Sequence, residues 1–148
     1  MPSKNAIYLY TKNDTKSLQR KESIAEAIHT HGFTVVEDPQ LASIIVSIGT
    51  DGSFLQAVRK TGFRQDCLYA GISTTDTLSM YCDFLADDIE AMAEAVLTKN
   101  IQVRKYPLLE ISVNNDPKFL CLNEFTIRSN IIKAFVLDIM IDHKHFES

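Results

Sequence analysis

The chain has 148 residues, 45% of them hydrophobic, and a formal charge of −4 from 19 acidic and 15 basic residues. That length holds one well-buried domain and part of another, and the scattered charges offer no continuous basic surface for nucleic acid. Cys67, Cys82 and Cys121 are too few and too widely spaced for a disulfide framework or a Cys-x-x-Cys zinc pattern; with no leader and no apolar stretch of membrane-spanning length, a soluble cytoplasmic protein with buried thiols is expected.

Ile7 to Tyr10 is a short apolar run ended by the Asn13-Asp14-Thr15 turn signal, and predicts a first strand. From Lys16 to His31 the residues Leu18, Ile24, Ala25, Ala27 and Ile28 recur at helical spacing, with Gly32 where a helix would stop. Phe33 to Val36 and Ile44 to Ile48 predict two further strands, the latter apolar on both faces. Such strands alternating with helices indicate an α/β fold, a parallel sheet with helices on both faces. After the loop Gly49-Thr50-Asp51-Gly52 a helix is expected over Ser53 to Lys60, then a strand over Leu68 to Ile72. A helix over Phe84 to Leu97 follows, burying Leu85, Ile89, Met92, Ala93 and Val96.

Beyond Asn100 three strand-like segments follow one another without helices: Leu108 to Val113, Phe119 to Arg128 and Ala134 to Ile141. The change predicts a domain over residues 1–102 and the start of a second over 103–148. Three strands bury one face poorly, so the second domain is expected to be incomplete.

The segment Gly49-Thr50-Asp51-Gly52-Ser53 joins flexible backbone, a carboxylate and a helix start at the carboxyl end of a strand, where α/β proteins place ligands. Gly49, Gly52 and the amides of a helix starting at Ser53 suit phosphate oxygens. Asp51, itself negative, suits a general base for a hydroxyl nucleophile or a metal ligand. The plainer reading is that Asp51 or Ser53 caps the helix. Asn123 offers donor and acceptor to a purine edge or ribose, and Glu124 can accept from two ribose hydroxyls; a solvated strand end is the alternative.

Ser47-Ile48-Gly49-Thr50-Asp51-Gly52-Ser53-Phe54-Leu55 resembles the Gly-Gly-Asp-Gly-Thr-Phe-Leu signature of NAD kinases, a pattern with relatives in lipid kinases and phosphofructokinases. Leu122-Asn123-Glu124-Phe125-Thr126-Ile127-Arg128-Ser129 resembles the Asn-Glu segment of the same family, and separates it from those relatives. The resemblance runs from about Ala6 to Ser148 and is greatest to the second, shorter-leader copy found in some bacteria. It implies a Rossmann-like domain followed by the first strands of a truncated β-sandwich, with Asp51 as the base on the adenosine 2′-hydroxyl of NAD. It further implies Asn123 and Glu124 on the adenosine, ATP or polyphosphate as donor, a divalent cation such as Mg²⁺, and a homo-oligomer at full length.

Two departures stand out. Thr50 occupies the place of a family glycine, where a β-branched residue resists positive φ and obstructs close backbone approach. The stretch 71–84 corresponds to a loop with two glycines and an aromatic beside the adenine; both glycines are absent, Met80 stands near the aromatic place, and Tyr81 is kept as an apolar wall. These departures leave open a nucleotide-binding module with a degraded kinase site. His143 and His145 on one strand face lack a third ligand, so no protein metal site is expected. His29 and His31 suit a helix C-terminus, and Lys4, Lys12, Lys16, Arg20 and Lys21 a solvated surface.

Overall fold

The computed structural model describes residues 5–114, 116–128, 130 and 136–147. Five strands, β1 (Ala6–Tyr10), β2 (Thr34–Val35), β3 (Ile44–Gly49), β4 (Leu68–Ser73) and β5 (Phe84–Leu85), form one sheet in the order β2-β1-β3-β4-β5. Every pairing in it is parallel. This is a doubly wound order whose direction reverses between β1 and β3, so a crevice opens at the carboxyl ends of those two strands.

Alternation along the strands sends side chains to two helical layers. Ile7, Leu9, Ile44, Val46 and Ile48 pack with Ile24 and Ile28 of α1 (Thr15–Thr30) and with Ile89, Met92 and Ala93 of α3 (Ile89–Leu97). Ile45 and Tyr10 face the opposite way, onto Ala57 of α2 (Asp51–Lys60). Helices thus cover both faces, which is why the central strands are mostly apolar on both sides, with Ser47 and Ser73 as buried polar exceptions. The Asp14 carboxylate caps α1 by accepting from the Ser17 amide at 3.0 Å, and Gly32 leaves the helix with φ +81°. Among the described residues no helix is long and apolar enough to cross a membrane.

The structure corrects four expectations. The helix expected from Phe84 starts at Ile89, because Phe84 and Leu85 pair with Ile72 and Ser73 and extend the open edge of β4 as a fifth strand. The helix expected from Ser53 starts at Asp51. The strand expected to reach Arg128 stops at Cys121: β6 (Leu109–Ile111) and β7 (Phe119–Cys121) form a hairpin, and Asn123 then turns the chain out of extended geometry with φ +89°. The last strand begins, within the described residues, as β8 (Ile139–Ile141) and pairs with an unforeseen β9 (Lys144–Glu147). Asp142 and His143 both have positive φ there, the geometry of a two-residue hairpin turn made without glycine. Ala134 and Ser129 lie outside the described residues, as does Lys4.

One close approach matters for the site. The main chain of Tyr81 and Cys82 crosses directly over Gly71 in β4: a Cβ at that glycine would collide with the Tyr81 carbonyl oxygen and stand 2.9 Å from the Cys82 Cα. Gly71→Ala is therefore expected to cost about 1–3 kcal/mol, the usual penalty for overpacking, read as a lower urea midpoint with unchanged slope. A midpoint equal to that of the parent would show that the 81–82 backbone does not rest on the strand.

Candidate active site

The segment that leaves β3 is shaped by its glycine and its serine. Gly49 has φ +154°, and a Cβ there would run into the Ser53 side chain. Ser53 is buried beneath the turn, where its hydroxyl accepts from the Thr50 amide at 3.4 Å and its own amide donates to the Thr50 carbonyl at 2.8 Å. Thr50 is the N-cap residue with φ −120° and ψ 179°. That is extended backbone, which a β-branched residue adopts readily. The expected strain at Thr50 is absent, since the unusual backbone angle falls on Gly49 one residue earlier. Gly52 lies in the first turn, exposed, with only Thr50 Oγ1 at 3.8 Å near the place of a Cβ.

Asp51 is the first residue of α2, where the positive end of the helix dipole favours its charge. Its carboxylate does not cap the helix. Oδ1 accepts from the Ser79 hydroxyl at 2.6 Å and from the Tyr81 amide at 2.9 Å, across 28 and 30 residues of sequence. Burial pushes the Asp51 carboxyl up, but hydrogen bonding from the Ser79 hydroxyl, the Tyr81 and Met80 amides and the Cys82 thiol together outweighs it and holds the group below the usual aspartate value. Burial pushes the Tyr81 phenol and the Cys82 thiol up, so both are neutral near pH 7.

Tyr81 links the remaining residues. Its ring stacks on Phe54 of α2 with centroids 5.0 Å apart and planes 6° from parallel, and Tyr106 leans on it at 5.3 Å. Its hydroxyl donates to Asn123 Oδ1 at 3.4 Å, and Leu122 packs onto the Phe54, Val58 and Tyr81 cluster. Backbone amide, ring and hydroxyl of one residue thus tie Asp51, α2 and Asn123 together. The ring is enclosed by protein, whereas the neighbouring Met80 side chain is 55% exposed. Asn123 lies in a bend after β7 and Glu124 in irregular chain just beyond it, not on a strand as expected, and Glu124 is exposed. A cavity of about 890 Å³ has Phe54, Met80, Tyr81, Tyr106 and Leu122 in its walls. Asp51 and Asn123 do not line it, so it adjoins the carboxylate site and is not identical with it.

Sequence reasoning missed Ser79, Phe54 and Tyr106 as members of this cluster. Phe54 lies inside the quoted signature, but nothing in spacing reveals that a hydroxyl 28 residues away meets Asp51. The two histidines do not share a strand face as expected: His143 sits in the β8–β9 turn, while His145 on β9 lies 3.7 Å from Asp138. Among the described residues no three His, Cys, Asp or Glu side chains gather around a possible metal position. His31 Nδ1 meets the Ala27 carbonyl at 2.9 Å at the end of α1, a helix-terminal role.

No protein-family model matches the chain. It is 49% identical over 142 residues to NAD kinase 2 of Bacillus subtilis (strain 168), covering 96% of this chain and 53% of that protein. It is 46% identical over 145 residues to NAD kinase 2 of Bacillus cereus (strain ATCC 10987 / NRS 248), covering 98% and 54%. With NAD kinase 2 of Halalkalibacterium halodurans it shares 46% over 149 residues, covering 100% and 56%. The chain thus spans about half the length of the curated relatives it matches. A crystal structure of yeast NADH kinase complexed with NADH has the same fold at a TM-score of 0.73 and 16% identity, over 97% of this chain and 54% of that one.

The hydrogen bonds at Asp51 predict an acid signature. A carboxylate whose folded pKa is lowered stabilises the protein fully above the ordinary aspartate value of about 3.9, and that contribution is lost as pH falls through the folded value. Asp51→Asn should flatten the acid side of the Tm-against-pH curve in this range, because the amide oxygen still accepts but no longer titrates. Asp51→Ala, which removes the acceptor, should cost about 1–2 kcal/mol at pH 7, allowing for solvent screening. Acid limbs that superimpose for parent and Asp51→Asn would count against the two hydrogen bonds.

Proposed function

We infer, taking as premise that this chain is the N-terminal part of an NAD kinase, that the full protein phosphorylates the adenosine 2′-hydroxyl of NAD. The observation that carries the reading is the bridge made by Tyr81, whose amide holds the Asp51 carboxylate and whose hydroxyl holds Asn123. Two side chains that the family resemblance assigns to base and adenosine are set from one rigid residue, as in-line transfer requires.

In this mechanism the Asp51 carboxylate accepts the 2′-hydroxyl proton while the 2′-oxygen forms a bond to the terminal phosphorus of the donor. The bond from that phosphorus to its bridging oxygen breaks, releasing ADP from ATP or a chain one phosphate shorter from polyphosphate. The donor phosphates lie against the amides at the start of α2, over Gly52, where the open backbone admits close approach; Gly49 and Ser53 shape that turn from beneath. Asn123 hydrogen-bonds the adenosine, Glu124 accepts from ribose hydroxyls, and Met80 gives the purine an apolar contact in front of the enclosed Tyr81 ring.

The described residues do not gather a protein cage for a metal. A divalent cation, Mg²⁺ in this reading, would arrive on the donor's phosphates, whose charge it neutralises. The relaxed backbone of Thr50 removes the strain argument for a degraded site. We place the end of the Rossmann-like unit near residue 102, and expect the full-length protein to act in the cytoplasm as a homo-oligomer.

In the full-length protein, Asp51→Asn should lower turnover by about 10²–10⁴ with little change in NAD affinity, since it abolishes the base and keeps the shape. Glu124→Gln should weaken NAD binding by about 1.5–3 kcal/mol in calorimetric titration, the value of a charge-assisted bond to ribose. Unchanged turnover in the first variant would reduce Asp51 to a structural residue, and unchanged affinity in the second would remove Glu124 from the site.

A further inference from the structure

We propose that Ser79 is the positioning residue for Asp51: its hydroxyl pins Oδ1 and leaves the other carboxylate oxygen, Oδ2, as the acceptor of the substrate proton. The proposal rests on the reading of Asp51 as general base and adds to it a residue outside the quoted signature.

Geometry carries the case. The Ser79 hydroxyl lies 2.6 Å from Oδ1, a short, charge-assisted contact. The turn that presents it is anchored at three points. The Ser79 amide donates to the Cys82 carbonyl at 3.2 Å, the Tyr81 amide shares Oδ1 with Ser79 at 2.9 Å, and the Tyr81 ring stacks on Phe54. Behind the turn, the missing side chain of Gly71 lets the backbone rest on β4. Ser79 is itself exposed, so its hydroxyl is not required to fill the core.

Two donors on one oxygen orient the carboxylate and draw charge toward Oδ1. The orientation is therefore gained with a weaker base, in keeping with the lowered proton affinity of Asp51, where the hydrogen bonds overcome the upward push of burial. The titratable groups facing Asp51 from the packed turn are Tyr81 and Cys82, both pushed up by burial, so neither supplies an acid limb below neutrality.

The test uses full-length protein labelled with ¹³Cγ-aspartate, the Asp51 resonance being assigned by its loss in Asp51→Asn. Parent, Ser79→Ala and Ser79→Thr are titrated by NMR, and the pH profile of kcat for NAD is recorded for each. The proposal expects Ser79→Ala to move the Asp51 titration to higher pH and to carry the acid limb of kcat with it. It also expects kcat on the plateau to fall roughly three- to tenfold with KM for NAD unchanged, and Ser79→Thr, which keeps the hydroxyl, to restore all three. An Asp51 titration that stays in place in Ser79→Ala overturns the proposal whatever the enzyme does. A titration that moves while the acid limb stays shows the hydrogen bond but defeats Asp51 as the base, and the positioning role falls with that reading.

Discussion

Everything specific about this site depends on one carboxylate reaching across the fold. Asp51 stands at the start of α2, on the loop from β3, and its Oδ1 is held by a turn that follows β4. The contact closes the carboxyl edge of the sheet by joining the exits of two neighbouring parallel strands. It can form because Gly71 admits the turn against β4 and because the Phe54 and Tyr81 rings stack where α2 meets that turn. A larger residue at 71, or the loss of the stacked pair, would move the donors away from the carboxylate without touching it.

The same turn carries the connection to the later part of the chain. Tyr81 reaches Asn123, Tyr106 leans on its ring, and Leu122 packs on the same cluster. The β6–β7 and β8–β9 hairpins are otherwise short and leave large apolar side chains in the open, among them Phe119, Met140 and Phe146. Isolated hairpins of this kind are stabilised weakly by their own contacts. Among the described residues, the aromatic cluster gives the α/β unit an apolar contact with the segment bearing Asn123.

The sheet could be read from the sequence because parallel strands buried on both faces are almost wholly apolar, as Ile44 to Ile48 shows with Ser47 its one polar residue, and because Gly32 marks a helix exit. Where one apolar run suits two structures, the reading failed: Phe84 and Leu85 fit a helical face, but the free edge of β4 captures them as a strand. Turns formed by residues other than glycine were also hidden, as at Asp142-His143 and at Asn123, since their positive φ is imposed by the surrounding chain. Asp51 stood out as a candidate from its glycine-flanked loop. Its partners did not, because Ser79 and Tyr81 reach it only through tertiary packing. The strain assigned to Thr50 followed from aligning it with a glycine; one residue of offset transfers the unusual backbone to Gly49 and leaves Thr50 relaxed.

The central claim is that this carboxylate serves a hydroxyl at one position of the nucleotide. It is tested most directly by giving the full-length protein either NAD or its analogue lacking the adenosine 2′-hydroxyl, with a phosphoryl donor, and following products by ³¹P NMR alongside calorimetric binding. The account predicts a new phosphomonoester on the 2′-oxygen of NAD, and an analogue that binds yet yields no product. Phosphorylation of the analogue, or a phosphate on any other oxygen of NAD, would contradict it.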